Sequence, residues 1–195
     1  MLALLRPLAW CNTQILRLFR RLGALALALM VVVILTQVFC RYVLNSALAW
    51  PDEAARFLML WMVAFMAPSA MRWGGFVAID TLPNALGRVP GLVLNFVLLS
   101  VSLLVLIVAI QHGQAHTFGF GGKFDSSSLW VPLDWFGGES FKIKLRYMYG
   151  SLLCCVVMLA VVCVELLLRT VIELTDPNAI QPDKDELLDA MGAAD

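Results

Sequence analysis

Residues 37–80 read QVFCRYVLNSALAWPDEAARFLMLWMVAFMAPSAMRWGGFVAID, two apolar runs joined by a short polar corner. The corner holds Arg41, Tyr42 and Asn45, then Trp50, Pro51, Asp52, Glu53 and Arg56. The first run ends in a cation, and the second begins with proline and two acids. Proline at the first helical position loses no N–H that the helix needs, and carboxylates there face the positive end of the helix dipole. One helix therefore ends near residues 41–45 and another starts near Pro51. In so apolar a chain the pair reads as a hairpin of membrane helices. Arg41, Asp52, Glu53 and Arg56 read as a polar clamp at its corner, with Arg41 and Glu53 expected to pair and Arg56 the rival partner.

The 195 residues are 61% apolar and 14% charged, with a mean hydropathy of +0.85. A bilayer core of about 30 Å needs about 20 apolar residues per helix. Four stretches, 22–44, 53–72, 89–111 and 147–169, meet or approach that length. The expected fold is an all-α membrane protein, with four transmembrane helices inside a single unit of residues 1–175. Residues 1–21 set Leu and Ile among Arg6, Arg17, Arg20 and Arg21. They read as an amphipathic N-terminal lead-in at the headgroups. The run that follows is longer than the ~7–15 residues of a secretory signal core, and no small-x-small cleavage site follows it, so helix 1 is expected to be retained. Residues 176–195 carry six acids against Lys184 and read as a disordered acidic tail. A formal net charge of zero suggests no nucleic-acid partner.

Candidate chemistry is sparse. The five cysteines contain no C-x-x-C pair, and four lie in or beside apolar runs, where cysteine acts as a small hydrophobe. His112 and His116 are spaced to share one helix face, but two imidazoles alone do not make a metal site. Glu165 is the acid set within a helix span. Its i,i+4 spacing from Arg169 favours a structural pair over proton or ion handling. Met59, Trp61, Met62, Phe65 and Met66 cover most of one helix, which suits packing or a broad protein–protein face. Asn95, Ser100 and Ser102 are the expected polar contacts of an otherwise apolar third helix. After it come glycines 119, 121 and 122, then Phe141 to Tyr147, where apolar and cationic residues alternate as in an extended or interfacial segment. No nucleophile with a base, phosphate loop or metal cluster is recognisable, so the chain reads as neither an enzyme nor a cofactor carrier. The competing class is a four-helix membrane anchor or cytochrome-like subunit of a redox complex, which a Soret band would reveal.

The corner resembles the small membrane subunit of TRAP (tripartite ATP-independent periplasmic) transporters, the DctQ-like family. The matching residues are Arg41-Tyr42 with Asn45, Trp50 with Glu53, Arg56, Trp61, then Arg72 and Asp80, and residues 129–133, LWVPL, are similar to the family's short Pro-containing segment before helix 4. Four departures stand out. Phe76 to Asp80 replaces the family's His-Ile-x-x-Asp pattern, and Met66 stands where a small residue is common. About ten extra residues, 136–146, precede helix 4, and helix 4 lacks the proline often seen there. The resemblance implies a small permease subunit in the bacterial inner membrane. It would scaffold a large subunit that carries the substrate and sodium sites and moves as an elevator. A periplasmic substrate-binding protein would deliver an organic acid. Arg41, Asn45, Trp50, Glu53, Arg56, Trp61, Arg72 and Asp80 would then serve the structural clamp or the subunit interface. Lys142, Lys144 and Arg146 are expected to meet the binding protein or anionic lipid headgroups.

The N-terminal arginines are expected to stay in the cytoplasm. Four spans then return the C-terminus to the same side and leave residues 111–147 in the periplasm. Reporter fusions at Gly121 and Asp195 should be externally active at the first and internally active at the second. External activity at Asp195 would overturn the scheme.

Overall fold

Asn45 shows how the first helix stops. It adopts φ 48°, in the left-handed region that asparagine visits at little cost. Ser46 N–H donates to Cys40 O at 3.1 Å, and Val43 N–H to Phe39 O at 2.9 Å, which closes the helix end. The computed structural model that carries these details describes residues 2–46, 48, 50–73, 88–119, 123–131 and 141–175. Asp80 and the acidic tail lie outside the described residues.

The first helix, α1, runs Leu2–Tyr42 without a break, about 61 Å at 1.5 Å per residue. The lead-in and the first span are thus one helix. Asn12 and Leu16, each 1% exposed, already pack against the rest of the fold. α2, Trp50–Arg72, opens on Pro51 with Asp52 and Glu53 in its first turn, and Pro68 lies inside it without ending it. α3 spans Arg88–Phe118 and α4 spans Arg146–Thr175. All four helices are long and apolar enough to cross a membrane, as a multi-pass protein requires. Between α3 and α4, β1 (Asp125–Val131) pairs antiparallel with β2 (Phe141–Lys144). The period-two segment is therefore extended up to Lys144, and Arg146 begins the helix.

The helices pack in the order α1, α2, α4, α3, with an added contact between α1 and α4. α1 meets its neighbours along one stripe. From Asn12 its covered positions include 12, 16, 19, 23, 26, 30, 33, 37 and 40, in steps of four and three, with 13, 17 and 20 half-buried beside them. That seven-residue repeat is the spacing of side-by-side helix pairs. Away from it the helix is bare, with Val32 59% and Leu35 62% exposed. α3 presents a similar apolar outer face. Its contact with α4 uses backbone more than the expected serines: Cys163 Sγ donates to Leu99 O at 3.3 Å, while Ser100 Oγ bonds Phe96 O of its own helix.

Hydrocarbon gives helices no hydrophobic drive to associate, so close fit matters. Phe19 meets Phe65 edge-on at 4.9 Å, and Trp61 adds a tilted contact with Phe65 at 5.3 Å. Met66 faces Gly23: a Cβ there would lie 3.0 Å from Met66 Cγ and Cε. Gly23→Ala should be tolerated because the methionine can yield, whereas Gly23→Leu should cost roughly 1–3 kcal/mol through overpacking. Adding Met66→Ala should recover part of the loss in thermal unfolding of the detergent-purified chain. Equal stability of Gly23→Leu and the native chain would show that this approach is loose.

Candidate functional site

Near the Arg72 end of α2, α4 brings Glu165 into the protein interior, where its side chain is 0% exposed. One turn later on the same helix, Arg169 Nη2 donates to Glu165 Oε1 at 2.6 Å. Arg72, in the last turn of α2 and 2% exposed at its side chain, donates through Nη2 to the same oxygen at 2.9 Å. From α1, Asn12 Nδ2 donates to Oε2. Arg72 Nη1 also donates to Thr13 Oγ1 at 2.8 Å, and that hydroxyl in turn donates to Ala9 O at 2.8 Å. Three helices thus converge on one carboxylate.

Helix direction explains the convergence. α1 runs one way and α2 and α4 the other, so the start of α1 meets the ends of the other two. The expected i,i+4 pair of Glu165 with Arg169 is present, with Arg72 and Asn12 added to it. Arg72, grouped by sequence with the corner residues, lies 19 residues along α2 from Glu53, about 29 Å away and close to the thickness of a bilayer core. Asn12 and Thr13 were not anticipated, although Asn12 opens the stripe of fours and threes along α1. An ion pair taken out of water stabilises only when geometry is good and the spare lone pairs are bonded. Both oxygens of Glu165 are occupied, which suits a fixed tie between helices.

The opposite end of α2 is held differently from expectation. Arg41 is exposed and forms no ion pair among the described residues. Its position is one residue beyond the stripe, a turn of 100° away from α2. Gln37, which lies on the stripe, reaches α2 in its stead, with Nε2 donating to Asp52 Oδ1 at 2.8 Å. Glu53 accepts from Ser126 Oγ on β1, so the hairpin is moored to the first turn of α2. Arg56 is exposed, Trp50 is half-buried, and Trp61 stacks between Phe57 and Phe65. The predicted corner is therefore a polar end plate in which Asp52 and Glu53 act through Gln37 and Ser126. His112 and His116 are exposed, with His116 beside Tyr149 at 6.2 Å between ring centroids. Among the described residues no three His, Cys, Asp or Glu side chains converge to hold a metal.

Removing Glu165 alone strands Arg72 and Arg169. Glu165→Leu should cost about 3–5 kcal/mol, whereas replacing Arg72 and Glu165 together with Met and Leu should cost less than either single change. Thermal unfolding of the full chain in detergent measures this. Strictly additive losses would mean that the two side chains act independently.

No curated protein matches the chain. The model of the family described as "Tripartite ATP-independent periplasmic transporters, DctQ component" matches residues 30–173. That region includes both ends of α2, the hairpin, Glu165 and Arg169, and begins after Asn12 and Thr13. With most of its length matched, the chain belongs to the DctQ family, the small component of TRAP transporters.

Proposed function

We propose that this chain scaffolds the large, sodium-coupled elevator subunit of a TRAP transporter, for uptake of an organic acid delivered by a periplasmic binding protein. The family makes it a transporter component of the inner membrane with multiple spans. The observation that carries the scaffold reading is the Glu165 tie: the most deeply buried charges of the spans are locked between α1, α2 and α4. Alternating-access sites are built from discontinuous helices whose exposed ends coordinate substrate and ions near the midplane. Here each of the four described spans is a continuous helix. The bare apolar faces of α1 and α3 supply surface for lipid and for a large membrane partner. Both termini sit in the cytoplasm on this reading, and the hairpin end of α2 faces the binding protein.

Reconstitution of the large subunit and binding protein, with and without this chain, tests the role. Sodium-driven uptake should fall to background when the chain is left out, and the chain alone should transport nothing. Undiminished uptake in its absence would refute the scaffold.

A further inference from the structure

A third polar place lies where α3 ends and α4 begins. Thr117, Phe118 and Gly119 close α3, Lys123 follows, and Lys144 and Arg146 lead into α4; these residues line one cleft. Lys123, Lys144 and Arg146 are exposed and form no ion pair among the described residues. Arg146 lies over the Phe118 ring, 5.4 Å from its centroid. Asp125, the acid nearest in strand register, stands opposite Lys144 without bonding it. Three cations thus share one wall-lined space.

Thr117 is the second, independent sign. A threonine inside a helix usually turns its hydroxyl back to a carbonyl of the preceding turn. Thr13, Thr36, Thr170 and Thr175 all do so, to Ala9, Val32, Leu166 and Val171, at 2.8–2.9 Å. Thr117 does not. It is 5% exposed, it lines the cleft, and its Oγ1 has no hydrogen-bond partner. A buried hydroxyl left unbonded is costly, and a small movement of the cleft wall that let a ligand oxygen accept from it would remove that cost.

Depth points to the ligand. The apolar run of α3 ends at Ile110, and Thr117 stands seven residues further on, about 10 Å along the axis and so at the headgroup layer. Phe118, Phe124 and Tyr147 are 66%, 52% and 55% exposed around this end of the molecule, as aromatic side chains are at a membrane interface. Cationic side chains with a hydroxyl donor match a phosphate oxyanion. We propose that this cleft is a phosphate site whose occupant is the headgroup phosphate of an anionic phospholipid. The acidic surface of a folded protein could meet the exposed lysines, but the depth of the cleft and the exposed aromatic side chains around it favour the headgroup layer. The proposal stands independently of the scaffold reading.

The test is native mass spectrometry of the full chain in mild detergent, titrated with short-chain phosphatidylglycerol, short-chain phosphatidylcholine or inorganic phosphate. The native chain should retain one phosphatidylglycerol about ten-fold more tightly than phosphatidylcholine. The triple change Lys123→Gln, Lys144→Gln, Arg146→Gln should weaken phosphatidylglycerol about thirty-fold, and the shape-conserving Thr117→Val about three-fold. Lys142→Gln, on the same hairpin but outside the cleft, should leave binding unchanged. Circular dichroism checks that each variant is folded, and Thr117→Val carries the test if the triple variant is not. Inorganic phosphate bound with the same dependence on these residues, and not displaced by phosphatidylglycerol, would keep the phosphate site but overturn the lipid as its source. Equal binding of both lipids, unaffected by the variants, would overturn the site. So would a triple variant that keeps its lipid yet loses capture by the periplasmic binding protein, which would make the lysines a protein-docking patch.

Discussion

One carboxylate with no access to water determines how three of the four helices can sit. In hydrocarbon, an apolar side chain gains little by exchanging lipid for another helix, so the contacts that decide an arrangement are those that lipid cannot replace. Glu165 accepts from Arg169 on its own helix, Arg72 on α2 and Asn12 on α1. Each donor satisfies a group that would otherwise be polar, buried and alone. The tie is therefore cooperative: loss of any one member raises the cost carried by the rest. Apolar packing between Phe19 and Phe65, or Gly23 and Met66, refines a geometry that the polar tie has already restricted.

α2 carries the arrangement across the membrane. Its Arg72 end is held by the Glu165 tie, and its Asp52 end by Gln37 of α1 and Ser126 of β1. The two ends are about one hydrocarbon thickness apart. Each polar plate thus sits where water and headgroups begin, and the middle of the helix is left to aromatic and methionine side chains. The hairpin between α3 and α4 is part of this frame because Glu53 holds it. That places the cationic cleft beside Thr117 at a fixed depth, in reach of whatever occupies the headgroup layer.

Much of this was legible before any coordinates. Pro51 with its two acids marks the start of α2, the cation Arg41 the end of α1 near residues 41–45, alternation over 141–147 an extended or interfacial segment of which Phe141–Lys144 is strand, and i,i+4 spacing the Glu165–Arg169 pair. What failed was the choice of face. Arg41 and Glu53 share a depth, but depth does not fix azimuth, and Arg41 lies one residue off the stripe that ends at Cys40. Nearness in sequence sets Arg72 with the corner residues, whereas a 23-residue helix puts them at opposite ends. Asn12 and Thr13 are hidden in a lead-in whose arginines dominate its pattern. The step of four and three from position 12 to position 40 was present in the chain, but a helix this apolar hides such a stripe among residues of similar hydrophobicity. α3, apolar all round, offered no face to read at all.

The distribution of polar ties also sets which joints can move. Separating α2 from α4 would leave Arg72 and Glu165 with no alternative partner of equal quality, and breaking a buried ion pair costs several kcal/mol. α1 is bound into the same cluster through Asn12 and Thr13. These three helices are therefore tied at one point. α3 is different. It is held by the close approach of Gly113 to Leu153, by the weak sulfur bond from Cys163 to Leu99 O, and by ring contact between His116 and Tyr149. A shift of α3 along α4 breaks none of the buried ion pairs. The polar ties thus join α1, α2 and α4 to one another, while α3 packs along α4 with no buried ion pair among the described residues.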